Sequence, residues 1–266
     1  MLLQDKTAVI YGAAGAIGGA VARTFAHEGA RVFLAGRTLK ALDAVAEEIA
    51  AAGGVAETAQ VDALDPRAVN GHAVAVAQQA GRIDVSFNAI GVDHIQGFPL
   101  TELSVEDFSF PIATYSRTQF LTATAAARHM TANGSGVIVT LSTTAARVAM
   151  ASDGFGPACA AVEAFSRQLA GEVGPHGVRV VCLRPDGIPE TVAHGSHARE
   201  VWTRAAERAG MTLDQVLENP GVDGALLQRS PTLAEVAETA AFLASDRGSG
   251  MTATIANITC GSVLDF

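Results

Sequence analysis

The sequence predicts a doubly wound α/β fold, in which a single-domain parallel sheet of about seven strands carries helices on both faces. Short aliphatic and β-branched runs alternate with alanine-rich helical segments, and this alternation indicates parallel pairing through right-handed crossovers. Most of the runs are apolar throughout, as expected for strands that are covered on both faces. With 266 residues, 49% of them hydrophobic, the chain can bury one large core.

Each predicted element is a separate run along the chain. The strands are Thr7–Tyr11, Arg31–Ala35, Val55–Val61, Ile83–Asn88, Gly136–Ser142, Val178–Leu183 and Thr254–Ile258. The helices are Gly18–Gly29, Thr38–Ala52, Pro66–Gly81, Thr101–Thr131, Phe155–Pro175 and Thr232–Ser245. The left-handed backbone that often follows a helix is expected at four glycines, Gly29, Gly53, Gly81 and Gly177. Residues 192–230 interrupt the alternation, so we expect one domain, 1–266, with an insertion there.

The charge balance argues against two classes of partner. The chain has 18 basic and 27 acidic residues, a net charge of −9, which disfavours broad contact with nucleic acid or an anionic membrane. No apolar run approaches the roughly 20 residues needed to span a bilayer. The first apolar strand begins by Thr7, which leaves no room for a signal peptide, so a cytoplasmic location is expected.

The cysteines and histidines do not form a metal-binding pattern. Cys159, Cys182 and Cys260 are far apart and lack a C-x-x-C spacing, so neither a disulfide framework nor a zinc site is predicted. His194 and His197 have no third ligand at a recognisable spacing. We therefore predict no metal.

A glycine-rich loop follows the first strand and opens the first helix, the context in which such a loop indicates dinucleotide binding on a Rossmann-type sheet. Gly12 permits the tight turn, the small residues after it let the backbone approach a pyrophosphate, and Gly18 lets the helix pack on the strand. The predicted contacts to the cofactor in this loop are Gly12, Ala14, Gly15, Ala16, Ile17 and Gly18.

The residues after the second strand favour NADP over NAD. An enzyme selective for NAD usually places an acidic residue here against the ribose 2′-hydroxyl, whereas this chain has Ala35-Gly36-Arg37. Gly36 leaves room for a 2′-phosphate, and Arg37 can bind it with charge-assisted hydrogen bonds. NAD stays open, since Arg37 also fits an ordinary solvated arginine at a helix entry.

Three further motifs close later strands in a fixed order: Val61-Asp62-Ala63, Asn88-Ala89-Ile90-Gly91 and Arg184-Pro185-Asp186-Gly187-Ile188-Pro189-Glu190-Thr191. With the glycine loop, they resemble the short-chain dehydrogenase/reductase superfamily over nearly the whole chain, from about Thr7 to Gly261. The loop departs from the family's T-G-x-x-x-G-x-G, with Tyr11 for the threonine and Ala16 at the middle glycine.

The resemblance implies a role for each motif. Asp62 and the backbone of Ala63 would bind the adenine, and Asn88, Ala89 and Gly91 in the turn after the fourth strand would also bind the cofactor. In the last motif, with Asp186 as a one-residue insertion near the nicotinamide, Pro185, Gly187 and Thr191 match the family pattern, and Thr191 would hold the carboxamide. The resemblance also implies a small-molecule substrate, a lid over residues 192–230, and a homotetramer or dimer built on the two long helices and the C-terminal segment.

The family's proton relay is largely missing. Phe155 and Cys159 occupy the usual tyrosine and lysine positions, and neither a phenyl ring nor a thiol replaces those groups. Tyr115 falls at the position of the family's asparagine. Ser142 and Thr143 each match one way of counting to the family's serine, and either hydroxyl can orient a substrate carbonyl.

Three interpretations follow. The first is an oxidoreductase with a nonstandard proton donor, either Tyr115 or His94, although Tyr115 also fits a core aromatic spaced with Phe108 and Phe120, and His94 an exposed loop histidine. The second is a nonredox enzyme that reuses the pocket. The third is a catalytically degenerate protein that binds NADP or another ligand as a sensor. The substrate cannot be predicted from the sequence.

Overall fold

The computed structural model describes residues 1–149, 153–194, 196–218 and 225–264. Seven strands form one parallel sheet in the order β3-β2-β1-β4-β5-β6-β7. They are β1 (Thr7–Tyr11), β2 (Arg31–Gly36), β3 (Val55–Gln60), β4 (Val85–Asn88), β5 (Gly136–Leu141), β6 (Val178–Pro185) and β7 (Thr254–Ile258).

Helices cover both faces of the sheet. They are α1 (Ala16–His27), α2 (Leu39–Ala51), α3 (Pro66–Ala80), α4 (Val105–Asn133), α5 (Phe155–Val173), α6 (Ala198–Arg208), α7 (Leu213–Glu218) and α8 (Leu233–Ala244). One apolar core joins the sheet to α1, α2 and α8, and a second joins it to α3, α4 and α5. The predicted doubly wound fold is confirmed.

The predicted helix and strand boundaries differ from the observed ones by a few residues. The helix predicted from Thr101 begins at Val105, because the side chain of Ser104 accepts a hydrogen bond from the Asp107 amide at 3.0 Å and caps the first turn. Strand β6 runs beyond the predicted Leu183, because its pairing with β7 continues to Pro185. The four glycines predicted to follow helix ends all have positive φ angles, from 74° to 93°.

The site is positioned by the carboxyl edge of this sheet. Parallel strands place their carboxyl ends along one edge, so the loops after β1 to β6 lie side by side there. The chain order reverses between β1 and β4, where Tyr11 lies opposite Asn88 in the register. Ligands of open α/β sheets bind at such a switch point.

Candidate functional site

The loop between β1 and α1 has a geometry that requires glycine at two positions. Gly12 has φ +76°, and a Cβ there would lie 2.9 Å from the backbone of Ala89. A Cβ on Gly18 would lie 2.3 Å from the Gly12 carbonyl oxygen, closer than atoms pack. The turn and the close approach of α1 to it were both predicted from the sequence.

This loop presents the amino terminus of α1 without a competing side chain. Gly15 is the N-cap residue, no side chain caps the helix, and the first turn has no acidic residue. Backbone N–H groups at such a terminus attract anions. Ala14 and Ile17 are partly buried and Ala16 is buried, so small and apolar groups surround the terminus. The residues present therefore fit the pyrophosphate of a dinucleotide.

The ends of β2 and β3 leave two charged side chains in solvent. Arg37 is exposed, and its carbonyl accepts a hydrogen bond from the Gln60 amide at 2.9 Å. Asp62 is also exposed, and its carboxylate accepts from the backbone N–H of Leu64 at 3.0 Å, which fixes the side chain in a turn. Ala63 is buried beside it. Both charges are available to a ligand lying across this edge.

Asn88 organises the turn after β4 from within. Its side-chain amide donates to the Thr122 hydroxyl at 2.8 Å, and its side-chain oxygen accepts from the Ile90 amide at 2.9 Å. The Ala89 amide donates to the Tyr11 carbonyl at 2.9 Å, which joins this turn to the glycine loop. Gly91 lies at the end of the turn against the ring of His197.

The loop after β6 is held through Asp186. Its carboxylate accepts from the Thr144 hydroxyl at 2.9 Å, from the Gly187 amide at 2.7 Å, and from the Ser262 hydroxyl. The side chain therefore joins the ends of β5 and β6 to the C-terminal segment. Pro185 is the last residue of β6.

Thr191 follows in a short 3-10 helix. It is buried, and its hydroxyl donates to the Ile188 carbonyl at 2.7 Å. The hydroxyl oxygen keeps a lone pair for another donor. A carboxamide N–H is such a donor, so the residue fits its predicted role.

The two residues predicted to stand at the family's tyrosine and lysine positions lie in an apolar cluster. Phe155 stacks on His94, with ring centroids 3.9 Å apart, and its centroid is 5.7 Å from that of Tyr115. Cys159 is buried in the same cluster with Val92. Burial raises the pKa of the Cys159 thiol to about 12. This part of the site is packed by aromatic and apolar groups.

Tyr115 is fully engaged in that packing. Its exposed fraction is 2%, and its hydroxyl donates to the Leu141 carbonyl at 2.6 Å. Burial raises the pKa of Tyr115 well above its ordinary value. Phe108 and Phe120 share the helical spacing of Tyr115 but not its burial, because they are 37% and 52% exposed.

His94 is buried, contrary to the exposed loop position that also fitted the sequence. Its Nδ1 lies 2.9 Å from the Val92 carbonyl oxygen, so this nitrogen carries the proton. Its Nε2 lies 2.9 Å from the amide nitrogen of Gln96, which can donate to it. Burial lowers the pKa of His94 to about 4, so the ring is neutral near pH 7.

The two hydroxyls after β5 face different surroundings. Thr143 is partly exposed and lies near the Tyr and Lys positions: its Oγ1 is 3.5 Å from Cys159 Sγ and accepts from the Ala145 amide at 3.2 Å. Ser142 has no exposed surface and donates to Glu163 at 2.8 Å. Thr143 is therefore the more accessible of the two hydroxyls, whereas Ser142 belongs to a buried network.

That buried network contains an ion pair that we did not predict. Arg184 donates to both carboxylate oxygens of Glu163, each at 2.7 Å, and the pair is almost fully shielded from solvent. An arginine within the apolar strand β6 was the available sequence signal, because a buried guanidinium needs a carboxylate partner. Glu163 gave a second signal, because it lies eight residues after Phe155 on α5 and therefore on the same side of the helix.

The predicted lid is partly helical. Its helix α6 lies over the turn after β4, where Arg204 pairs with Asp93 and Arg208 donates to the Gln96 carbonyl at 2.7 Å. Trp202 packs near Gly187, whose added Cβ would lie 3.3 Å from the indole. The same segment also contains the short helix α7.

Asp153 is a second residue that the sequence did not single out. It precedes α5, is 5% exposed, and has a φ of 54°. Neither of its carboxylate oxygens has a hydrogen-bond partner in the structure as described. No local pattern indicated its burial, because elements distant in sequence enclose it.

Among the residues described, no group of three His, Cys, Asp or Glu side chains could hold a metal ion. Within the same residues, no helix is both long and apolar enough to cross a membrane.

Comparison with known proteins gives consistent relationships. A family model described as enoyl-(acyl carrier protein) reductase matches residues 12–262. The D-threitol dehydrogenase of Mycolicibacterium smegmatis is 33% identical over 72% of this chain and 74% of its own length. The short-chain reductase protein NovJ of Streptomyces niveus is 29% identical over 97% of this chain and 94% of its own.

A solved structure agrees in fold. The crystal structure of an NAD⁺-bound xylitol dehydrogenase superposes with a TM-score of 0.85 over 98% of this chain and all of that one, at 22% sequence identity. The family match, the relatives and the sheet topology agree. The chain belongs to the short-chain dehydrogenase/reductase superfamily and is an oxidoreductase of that family, whose fold implies a nicotinamide cofactor.

Proposed function

We propose that the chain transfers hydride between a nicotinamide cofactor and a small carbonyl, alcohol or activated double bond, using a nonstandard proton donor. The observation that carries this proposal is the cradle after β1, where Gly12 and Gly18 cannot hold a side chain and the α1 terminus is uncapped. When bound, the nicotinamide would donate or accept the hydride. Arg37, Asp62 and Thr191 would hold the rest of the cofactor.

We assign the substrate oxygen to the Thr143 hydroxyl. This group is partly exposed and lies beside Cys159, so it faces the place where the family's relay would act. A hydroxyl there can donate to a carbonyl oxygen and stabilise the negative charge that develops on it. Thr143→Ala should lower kcat by a factor of roughly 10–100, whereas Thr143→Ser should retain most of it.

Tyr115 and His94 remain candidates for the proton donor, with weaker support. The Tyr115 proton is directed at the Leu141 carbonyl, and both nitrogens of His94 have partners. A proton donor must reach the reacting oxygen by a hydrogen bond. If Tyr115→Phe or His94→Ala abolishes turnover while the cofactor still binds, the residue that was changed is the proton donor.

We further propose NADP as the preferred cofactor. Arg37 is exposed at the end of β2 next to Gly36, where it can reach a 2′-phosphate. Arg37→Ala should weaken NADPH binding by roughly 10–100-fold and leave NADH binding unchanged. Arg247→Ala, which changes an exposed arginine preceding β7, is the matched control. An unchanged preference in Arg37→Ala would contradict the assignment.

The central experiment is a titration of the purified protein with NADPH and NADH, in which binding is measured by calorimetry and by nicotinamide fluorescence. We expect micromolar binding of at least one cofactor and its oxidation with members of a carbonyl and enone panel. If neither cofactor binds, the proposed oxidoreductase activity is wrong.

A second candidate is a protein that binds NADP or another ligand without catalysis. The observation that favours it is the stacking of Phe155 on His94 at the position where the family's tyrosine would act. Cofactor binding without turnover would support it. The double variant Phe155→Tyr/Cys159→Lys tests the difference directly: new carbonyl reduction by this variant would show that only the relay was missing.

We also propose that the chain forms a homo-oligomer through α4 and α5. Phe110 and Phe120 on α4 are each more than half exposed, and Phe120 contacts Phe165 of α5 with centroids 5.9 Å apart. Exposed aromatic surface of this kind favours association. Phe120→Glu should shift the mass measured by sedimentation towards the monomer, while a wild-type monomer would refute the proposal.

A further inference from the structure

The carboxylate of Asp153 is an exception among the polar groups of this chain. Buried polar groups nearly always have hydrogen-bond partners, since leaving one unpaired costs its full desolvation. Asp153 is 5% exposed, and neither oxygen has a partner within the described ranges. Its burial raises the pKa of the carboxyl, and the charge of Arg208 opposes this shift. Such a group needs either a ligand or a structural explanation.

The position of Asp153 is fixed by its neighbours. A Cβ on Gly154 would lie 2.0 Å from the Phe108 carbonyl oxygen, so the chain runs tightly against α4 at this point. Asp153 itself has φ +54°, a conformation that residues other than glycine seldom adopt but that Asp tolerates. The carboxylate is therefore held in place by the backbone.

Three elements meet around this carboxylate. Two residues after it, Phe155 stacks on His94 of the β4–α4 turn. His94 contacts Gln96, whose carbonyl accepts from Arg208 on the lid helix α6. The charge of Arg208 in turn acts to lower the pKa of the Asp153 carboxyl, so the guanidinium lies near it. Asp153 thus lies where the start of α5, the turn and the lid converge beside the packed relay position.

The surrounding charge indicates what this carboxylate would bind. An ionised carboxylate only accepts hydrogen bonds, so its partner must be a donor. The nearby Arg208 guanidinium would repel an ammonium group, whereas a neutral hydroxyl meets no such penalty. A hydroxyl bound at this site would satisfy oxygens that are otherwise unpaired.

We propose that Asp153 recognises a hydroxyl group of the substrate, so that the preferred substrates are hydroxylated carbonyl compounds or polyols. The substrate hydroxyl donates to the carboxylate beneath the lid, on the side of the pocket next to Phe155. Asp153 is thereby a specificity-determining residue. The proposal rests on the proposed oxidoreductase function for the reaction, while the binding step can be measured without turnover.

The test compares Asp153→Asn with wild type, and Asp5→Asn serves as the control. Asp5 is also an aspartate with positive φ, at 61°, but it is exposed. The probes are matched pairs with and without one hydroxyl, such as 3-hydroxybutan-2-one against butan-2-one and butane-1,2,3-triol against butane-2,3-diol. Binding to the cofactor-loaded protein is followed by saturation-transfer NMR, and NADPH binding by fluorescence.

We expect wild type to bind the hydroxylated member of each pair on the order of 10–100-fold more tightly, and Asp153→Asn to lose at least tenfold of this preference. Binding of NADPH should be equal in the two proteins. Equal binding of both pair members to wild type, or binding of none, would overturn the proposal. Failure of the proposed function gives a different result, namely absence of NADPH binding to wild type.

Thermal unfolding separates recognition from a structural role. A buried carboxylate without a hydrogen-bond partner keeps its full desolvation cost, so the unfolding midpoint of Asp153→Asn should equal or exceed that of wild type. A midpoint several degrees lower would show that the carboxylate supports the native structure and would also overturn the proposal.

Discussion

The proposed cofactor end and the proposed reaction end of the site lie on the same edge of one sheet, yet they differ in how they are built. After β1, the important groups are backbone N–H groups and positions that must lack a side chain, such as Gly12 and Gly18. After β5, the important groups are side chains, and Phe155, His94 and Tyr115 pack against one another. Phosphate binding by backbone survives changes of side chain, whereas proton transfer does not.

The largest effect is expected at the reaction end, beneath the apolar cluster. Glu163→Ala would remove the carboxylate that Arg184 contacts at 2.7 Å in a buried pair. We expect unfolding free energy to fall by about 3–5 kcal/mol, measured by urea denaturation. Glu172→Ala, at an exposed position of the same helix, should change stability by about 0.5 kcal/mol or less. Equal effects of the two changes would contradict the role assigned to the pair.

Two buried histidines, one of them at the proposed reaction end, should also limit stability in acid. Burial lowers the pKa of His94 and of His72 to about 4, from an ordinary 6.5. The unfolded chain therefore binds more protons between these values, so this stability is fully present above pH 6.5 and is lost as pH falls towards 4. The shift for His94 alone corresponds to about 3 kcal/mol.

Urea denaturation at a series of pH values measures this loss. His94→Gln should flatten the dependence, since glutamine does not titrate, whereas His27→Gln changes an exposed histidine and should not. An unchanged slope in His94→Gln would show that the ring is not shielded from solvent.

At the proposed cofactor end, we expect a smaller loss of stability but a complete loss of cofactor binding. Gly18→Ala would place a Cβ 2.3 Å from the Gly12 carbonyl oxygen, so the loop must move. We expect a loss of about 1–3 kcal/mol in stability and no measurable NADPH binding by fluorescence. Gly171→Ala, in a helix with open space around the new methyl, should instead gain about 0.5–1 kcal/mol. Normal NADPH binding by Gly18→Ala would remove the main support for the cradle.

The smallest effect is expected from the phenol at the reaction end. Tyr115→Phe removes one hydrogen bond to the Leu141 carbonyl and should cost about 1 kcal/mol of stability, measured by thermal unfolding. The Tyr11 hydroxyl lies 3.4 Å from His72, a longer contact, so Tyr11→Phe should cost less. The opposite ranking would show that Tyr115 is not a structural residue of the cluster.

The sequence predicted the fold well because the signals for it are local. The ranges of β1 and β7 match their predicted runs, and the glycine loop predicted its own turn. The start of α4 was displaced because one capping side chain, Ser104, outweighs the surrounding propensities.

The reaction end could be predicted only in part, because its properties depend on contacts between distant segments. The sequence predicts that Phe155 stands at the family's tyrosine position, but not that His94 stacks on it. Two hydroxyls were equivalent in spacing, and only the fold turns Ser142 towards Glu163 and leaves Thr143 partly exposed. The burial of Asp153 likewise is not a local property, because the next residue, Gly154, packs against Phe108 of α4.

The contact between Gly91 and His197 restricts which residues can stand together at two positions that are far apart in the chain. A methyl group at position 91 would lie 2.1 Å from the imidazole ring, so the two cannot coexist in this arrangement. A related protein with a side chain at position 91 needs a smaller residue at position 197 or a different position of the lid. Divergence at this corner of the protein is therefore constrained to paired changes, in which a side chain at position 91 accompanies a change at residue 197 or in the placement of the lid.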